Sequence, residues 1–194
     1  MGAQGYTLVE LVFVMALAVT VGAVAVPGIT ASIDDSRAIG ATRYMSSRLQ
    51  HARMAAVARS ADVALKFVDS GGGGHAYTTY VDGNGNGIRT PDIERGVDRI
   101  LHPPERLSDS FYGVDFGVRP GLPAVDSGGS PPGSDPIKLG NADILTFTPI
   151  GTSSSGSLFI LGRSGAQYVI RIFGESGKTR VLRFDARANR WRPL

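Results

Sequence analysis

Asp82-Gly83-Asn84-Gly85-Asn86-Gly87-Ile88 places three oxygen-bearing side chains, Asp82, Asn84 and Asn86, at alternate positions. That is how a calcium loop opens, with ligands at positions 1, 3 and 5, glycine at 6 and an apolar residue at 7. A bidentate acid belongs at position 12, where this chain has Ile93, with Asp92 and Glu94 one residue to either side. The same residues suit a Gly/Asn-rich turn between two strands, and without the acid at position 12 the turn is the simpler reading. A second set is cationic. Lys178, Arg180, Arg183, Arg187, Arg190 and Arg192 crowd the C-terminal end around Trp191. Cations with an aromatic among them suit a phosphate backbone and a stacked base. They also suit a solvated edge strand whose charges oppose edge-to-edge pairing, and that plainer reading is preferred.

No catalytic set emerges. His51, His75 and His102 are scattered, and the serines at 153–155 lack a G-x-S-x-G elbow or a paired base. The Gly162-Arg163-Ser164-Gly165 stretch reads as a turn between strands. The chain has no cysteine, which excludes thiol catalysis, thiolate metal sites and disulfide support. The expectation is a protein that is not an enzyme and, calcium aside, takes no cofactor.

The elements that must carry these residues are uneven in character. The 194 residues allow one modest globular domain and an appendage. Residues 11–33 carry no charge, a run long enough to span a hydrocarbon core of ~30 Å. Glu10 sits on the flank of that run. A carboxylate costs ~2.5–3.5 kcal/mol at mid-membrane and less near the interface, so its presence there points to a role. Past Asp34 the pattern becomes amphipathic: Met45, Leu49, Ala52 and Ala56 form one stripe, and no Pro or Gly interrupts 41–64. One helix from about 6 to about 59 is predicted, its second half packed on the globular part, with Arg37, Arg48 and Arg59 on more exposed positions. Beyond it, antiparallel strands are predicted at 63–68, 76–81, 99–101, 114–118, 144–147, 157–161, 168–173 and 180–185, with a hairpin loop at 71–74. Residues 122–139, rich in Gly, Pro, Ser and Asp, read as a long irregular loop. Charge is also polarised: from Arg163 onward eight basic residues face two acidic ones, while the rest of the chain has twelve basic and fifteen acidic.

Gly5-Tyr6-Thr7-Leu8-Val9-Glu10 resembles the leader junction of type IV prepilins and type II secretion pseudopilins, G-F-T-L-x-E, with Tyr for Phe. The resemblance implies cleavage by a prepilin peptidase between Gly5 and Tyr6, N-methylation of Tyr6, and pairing of Glu10 with the N-terminal amine of a neighbouring subunit during assembly. It also puts Pro27 where many pilins carry a helix-kinking proline. The leader lacks the usual Lys or Arg, so either the true start lies upstream or orientation rests on other features. Leu49-Gln50-His51-Ala52-Arg53-Met54-Ala55-Ala56-Val57-Ala58-Arg59 is similar to the L-x-x-A-R-x-x-A-x-x-R segment of the GspH/FimT group of minor pseudopilins and minor pilins. Phe147-Thr148-Pro149-Ile150-Gly151, with Gly177-Lys178-Thr179-Arg180-Val181 further on, resembles the ending of those domains.

That resemblance implies a pilin-like α+β fold divided as a leader (1–5), a transmembrane and filament-core helix (6–33), its amphipathic continuation (34–60) and a periplasmic antiparallel β domain (61–194). It implies a single-pass protein of the bacterial inner membrane that joins a periplasmic filament of a type II secretion system or type IV pilus. Its partners would be other pilins or pseudopilins, a prepilin peptidase, an inner-membrane assembly platform and membrane lipid. One branch of the group binds DNA for natural transformation through a G-R-x-R-like motif, which Gly177-Lys178-Thr179-Arg180 matches with Lys for Arg. DNA is therefore the alternative partner.

Overall fold

The computed structural model describes residues 5, 7–72, 74–140 and 142–194, with every side chain among them except those at 24 and 27. Helix α1 (Leu8–Arg59, 52 residues) is continuous, including position 27. Its start follows from local chemistry: Thr7 is extended, and its side-chain oxygen accepts the Glu10 N–H at 3.3 Å. Its end is also local. Ser60 turns left-handed at φ 50°, and its N–H reaches the carbonyls of Ala56 and Val57.

Within this one helix the surroundings change completely. The described side chains of the apolar first part are exposed, from Leu8 through Phe13 and Val19 to Ile33. From Ala38 onward one stripe is buried: Ala38, Ala41, Met45, Leu49, Ala52 and Ala56, spaced three and four apart. The predicted stripe is therefore present and begins two turns earlier. Of the three arginines expected on exposed positions only Arg59 is fully exposed; Arg37 and Arg48 are half-buried, Arg48 because it pairs with Glu105.

The rest of the chain forms two antiparallel sheets. The first runs β3-β2-β1-β6, from β1 (Val63–Asp69), β2 (His75–Val81), β3 (Arg99–Arg106) and β6 (Ile144–Phe147). The second runs β10-β9-β8-β7-β4, from β4 (Val114–Phe116), β7 (Gly156–Gly162), β8 (Gln167–Phe173), β9 (Lys178–Asp185) and β10 (Arg190–Pro193), with β5 (Ile137–Lys138) also on β7. Short helices α2 (Thr90–Glu94) and α3 (Leu107–Ser110) flank β3. Between α1 and the sheets lies one core, in which Met45 and Leu49 meet Leu65, Tyr77, Phe147, Leu158, Ile160, Tyr168 and Ile170. A smaller cluster of Phe159, Val169, Leu182 and Trp191 covers the other face of the second sheet. The fold is α+β, an N-terminal helix packed by its second part against antiparallel sheets.

All eight predicted strands are present, and the differences are local. The 122–139 loop contains β5, and a tenth strand follows the predicted last one. Predicted strand 99–101 extends to Arg106 through Pro103 and Pro104. Those prolines are tolerated because β3 is an edge strand and its register on β2 shifts beside them.

Candidate functional site

The antiparallel meander gives the second sheet two distinct ends. The β7–β8 and β9–β10 turns lie where α1 enters the globular part. There a Cβ on Gly162 would meet the Ala38 Cβ at 2.8 Å, and the Ser164 hydroxyl donates to Asp35 at 3.0 Å. The β8–β9 turn lies at the opposite end, where the Arg53 Nε donates to the Gly151 carbonyl at 3.1 Å and Gln50 donates to Thr179 at 3.3 Å. The six C-terminal cations are divided by this geometry. Side chains alternate along β9, so Lys178 and Arg180 share the face of Leu182 and Trp191, away from α1. Arg183 is on the opposite face, paired with Asp35 of α1 at 3.0 Å and lying 5.9 Å from the Tyr168 ring centre.

Register places Arg192 opposite Arg183 and Arg190 opposite Asp185 on that α1-facing side. Arg192 pairs with Asp185 at 2.8 Å. The Asp185 carboxylate is held below its ordinary range, chiefly by the Ala188 N–H; burial opposes this, and the Arg187 N–H and the charges of Arg192 and Arg190 add to the lowering. Arg183, Arg187 and Arg192, with Arg119 from the stretch after β4, line a cleft of about 440 Å³ closed by Asp35 and Asp185. Arg119 was not singled out by the sequence. It is isolated in the chain, and the Gln167 side chain, which accepts its main-chain N–H at 2.8 Å, holds it at the cleft.

The loop after β2 is at the opposite end, beside the end of α1. One Asp82 carboxylate oxygen accepts the N–H groups of Asn84 and Gly85, both at 2.9 Å, and the other accepts that of Gly87 at 2.8 Å. The Asn84 side-chain oxygen accepts the Asn86 N–H at 3.2 Å, and hydrogen bonding orients the Asn86 amide nitrogen toward Asn84 (2.9 Å) and Asp92 (3.3 Å). Buried Asp98 accepts from Gly83 and Arg89, while Asp92 pairs with Arg95 at 2.6 Å. Burial pushes the Asp82 carboxyl up, but the four N–H donors outweigh it and hold the group below its usual range. Asp62 is raised by burial and then by the Asp82 charge. Asp82 and Asn84 thus use their oxygens on N–H groups of the loop, and Asn86 turns its nitrogen inward. Among the described residues no three His, Asp or Glu side chains gather to hold a metal.

The histidines are less scattered than their spacing implies. His102 on β3 is depressed by burial and then by the charges of Arg48, His51 and Arg59, so α1 and β3 bring two of the three within electrostatic reach.

At the N-terminus, Gly5 and Glu10 are exposed, and Glu10 lies beside Leu11, Val14 and Met15 on the bare helix. Tyr6, the expected first residue after processing, and the leader residues 1–4 lie outside the described residues. Thr7 was also missed by the sequence reading, although Thr-Leu-Val-Glu is the S/T-x-x-E pattern of a helix start.

No protein-family profile, curated protein or solved structure matches the chain. The chain has an apolar N-terminal helix, long enough to cross a membrane, that continues without a break onto antiparallel sheets. The architecture is pilin-like.

Proposed function

We propose that this chain is a membrane-anchored subunit of a pilin-like filament, a minor pseudopilin or minor pilin of type II secretion or type IV pilus machinery. One observation carries the reading. A single unbroken helix is apolar from Leu8 to Ile33, its described side chains there exposed, and is then buried along one stripe from Ala38. A bare apolar helix of that length is unstable in water and needs lipid or the same helix of neighbouring subunits around it. Glu10 is the one charge on it before Asp34, and it lies within the prepilin-like junction. In low dielectric it is costly alone and favourable beside an N-terminal ammonium, which makes it a registration device for a subunit entering the filament. On this reading the globular part sits outside the inner membrane, and Gly5 and Tyr6 flank the processed bond.

Co-expression with a prepilin peptidase tests this. Intact mass should fall by the five residues 1–5 and rise by one methyl group on Tyr6, and Glu10→Ala should still be processed but fail to co-purify with filaments. A chain that keeps residues 1–5, or a Glu10→Ala variant that assembles normally, overturns the reading. The distribution of cations favours this role over nucleic-acid capture. Lys178 and Arg180 are on one face of the second sheet and Arg183, Arg190 and Arg192 on the other, which breaks the track a duplex backbone would need.

A further inference from the structure

We propose that the arginine-lined cleft at the α1-entry end of the second sheet binds the phosphate of anionic phospholipid headgroups, holding the globular part down on the membrane. The proposal rests on the anchoring of α1 argued above and adds a ligand to the domain it carries. Four guanidinium groups, Arg119, Arg183, Arg187 and Arg192, line the cleft against two carboxylates, Asp35 and Asp185. Arg183 and Arg192 are paired with those acids, whereas Arg119 and Arg187 have no acidic partner among the described residues. Two unneutralised cations therefore face the opening, in a planar fork geometry that matches phosphate oxygens.

Their level relative to the membrane follows from the helix. Residues 11–33 carry no charge and at 1.5 Å per residue measure ~35 Å, enough to cross ~30 Å of hydrocarbon with a modest tilt. Asp35, on the cleft wall, is two residues beyond that run, or ~3 Å along the axis. The cleft thus opens at the depth of headgroup phosphates. On another side of the helix, Arg37 and Arg163 lie 5.7 and 5.5 Å from the centre of the Tyr112 ring, which is 65% exposed. An exposed tyrosine among cations at the same level is the composition of a membrane-interface belt.

The test is lipid selectivity of the full chain in nanodiscs, read as the association of spin-labelled phosphatidylglycerol relative to spin-labelled phosphatidylcholine. Two unpaired cations at ~1 kcal/mol each beside an anionic surface should make wild type prefer phosphatidylglycerol by roughly thirtyfold. Arg119→Gln with Arg187→Gln should bring the ratio close to one. Both side chains are exposed, and an unchanged thermal midpoint checks the fold. Lys178→Gln with Arg180→Gln removes the same charge from the other sheet face and should leave the ratio intact. Equal loss in both double variants, or no loss in the first, overturns the proposal. So does duplex DNA binding in phosphatidylcholine nanodiscs that disappears with the Arg119 and Arg187 changes while lipid preference stays. A chain that never enters the bilayer overturns the anchoring reading too, whereas one that enters without headgroup preference overturns this proposal alone.

Discussion

Glu105 holds α1 to the edge of the first sheet through a single carboxylate. One oxygen accepts the Tyr44 hydroxyl at 2.9 Å, the Tyr77 hydroxyl at 2.8 Å and the Arg48 Nε at 3.1 Å, and the other pairs with Arg48. Burial, and then the nearby Tyr44, push the Tyr77 hydroxyl up to about 12 against the opposing pull of Arg48. Because the folded value lies above the unfolded one near 10, this contribution is complete below pH 10 and is lost as the pH rises toward 12. Stability against denaturant should therefore decline across that window, and Tyr77→Phe should flatten the decline while costing ~1 kcal/mol at neutral pH for the lost hydrogen bond. Parallel wild-type and variant curves between pH 10 and 12 would show that Tyr77 is not the group responsible. Glu105→Ala should cost more, about 2–3 kcal/mol, since it strands two hydroxyls and a half-buried guanidinium.

Among elements, α1 and β7 approach each other closely. A Cβ on Gly162 would stand 2.8 Å from the Cβ of Ala38, the first fully buried residue of the helix. Gly162→Val should therefore lift the helix from the sheet and cost about 1–3 kcal/mol, lowering the thermal midpoint by on the order of 5 °C. An unchanged melting curve would mean that the helix can slide along its bed. This packing was partly legible in the sequence. Met45, Leu49, Ala52 and Ala56 announce their stripe because helical periodicity is a local property, and the eight strands announce themselves as short apolar or alternating runs between turn residues. The stripe's beginning at Ala38 was not legible, because Ala38 and Ala41 are small residues that a sheet can approach but that carry little pattern. Nor was β10, where Arg190-Trp191-Arg192-Pro193 reads as a charged tail. Its strand exists through pairing with β9 and through the Trp191 indole N–H, which donates to the Pro123 carbonyl at 3.1 Å. Long-range partners of this kind also assemble the arginine cleft, to which Arg119 comes from far away in the chain. The loop at Asp82 was legible as a short-range pattern. Whether its oxygens would face an ion or the loop's own N–H groups depends on backbone direction, which composition does not encode.

At the scale of the whole molecule, one helix has two lengthwise parts in different surroundings, an apolar part that is exposed and a part packed on the sheets. The described side chains of the first part contribute nothing to the core of the globular part, since those from Leu8 to Ile33 are exposed while burial starts at Ala38. Anchoring and folding should therefore be separable by substitution. Val19, 72% exposed and near the middle of the uncharged run, is the site for the experiment. Val19→Arg places a cation at mid-membrane at a cost of about 2.5–3.5 kcal/mol by insertion measurements, so membrane-integrated protein should fall severalfold in alkaline extraction of membranes. The thermal unfolding of the globular part, followed by Trp191 fluorescence, should be unmoved, because position 19 touches none of it. A matched Leu49→Ala change should do the reverse, leaving extraction unchanged and costing about 2–5 kcal/mol of stability in a side chain with no exposed surface. If Val19→Arg also destabilised the fold, the bare part of the helix would have to fold back on the sheets in solution. One continuous helix would then not describe the free protein.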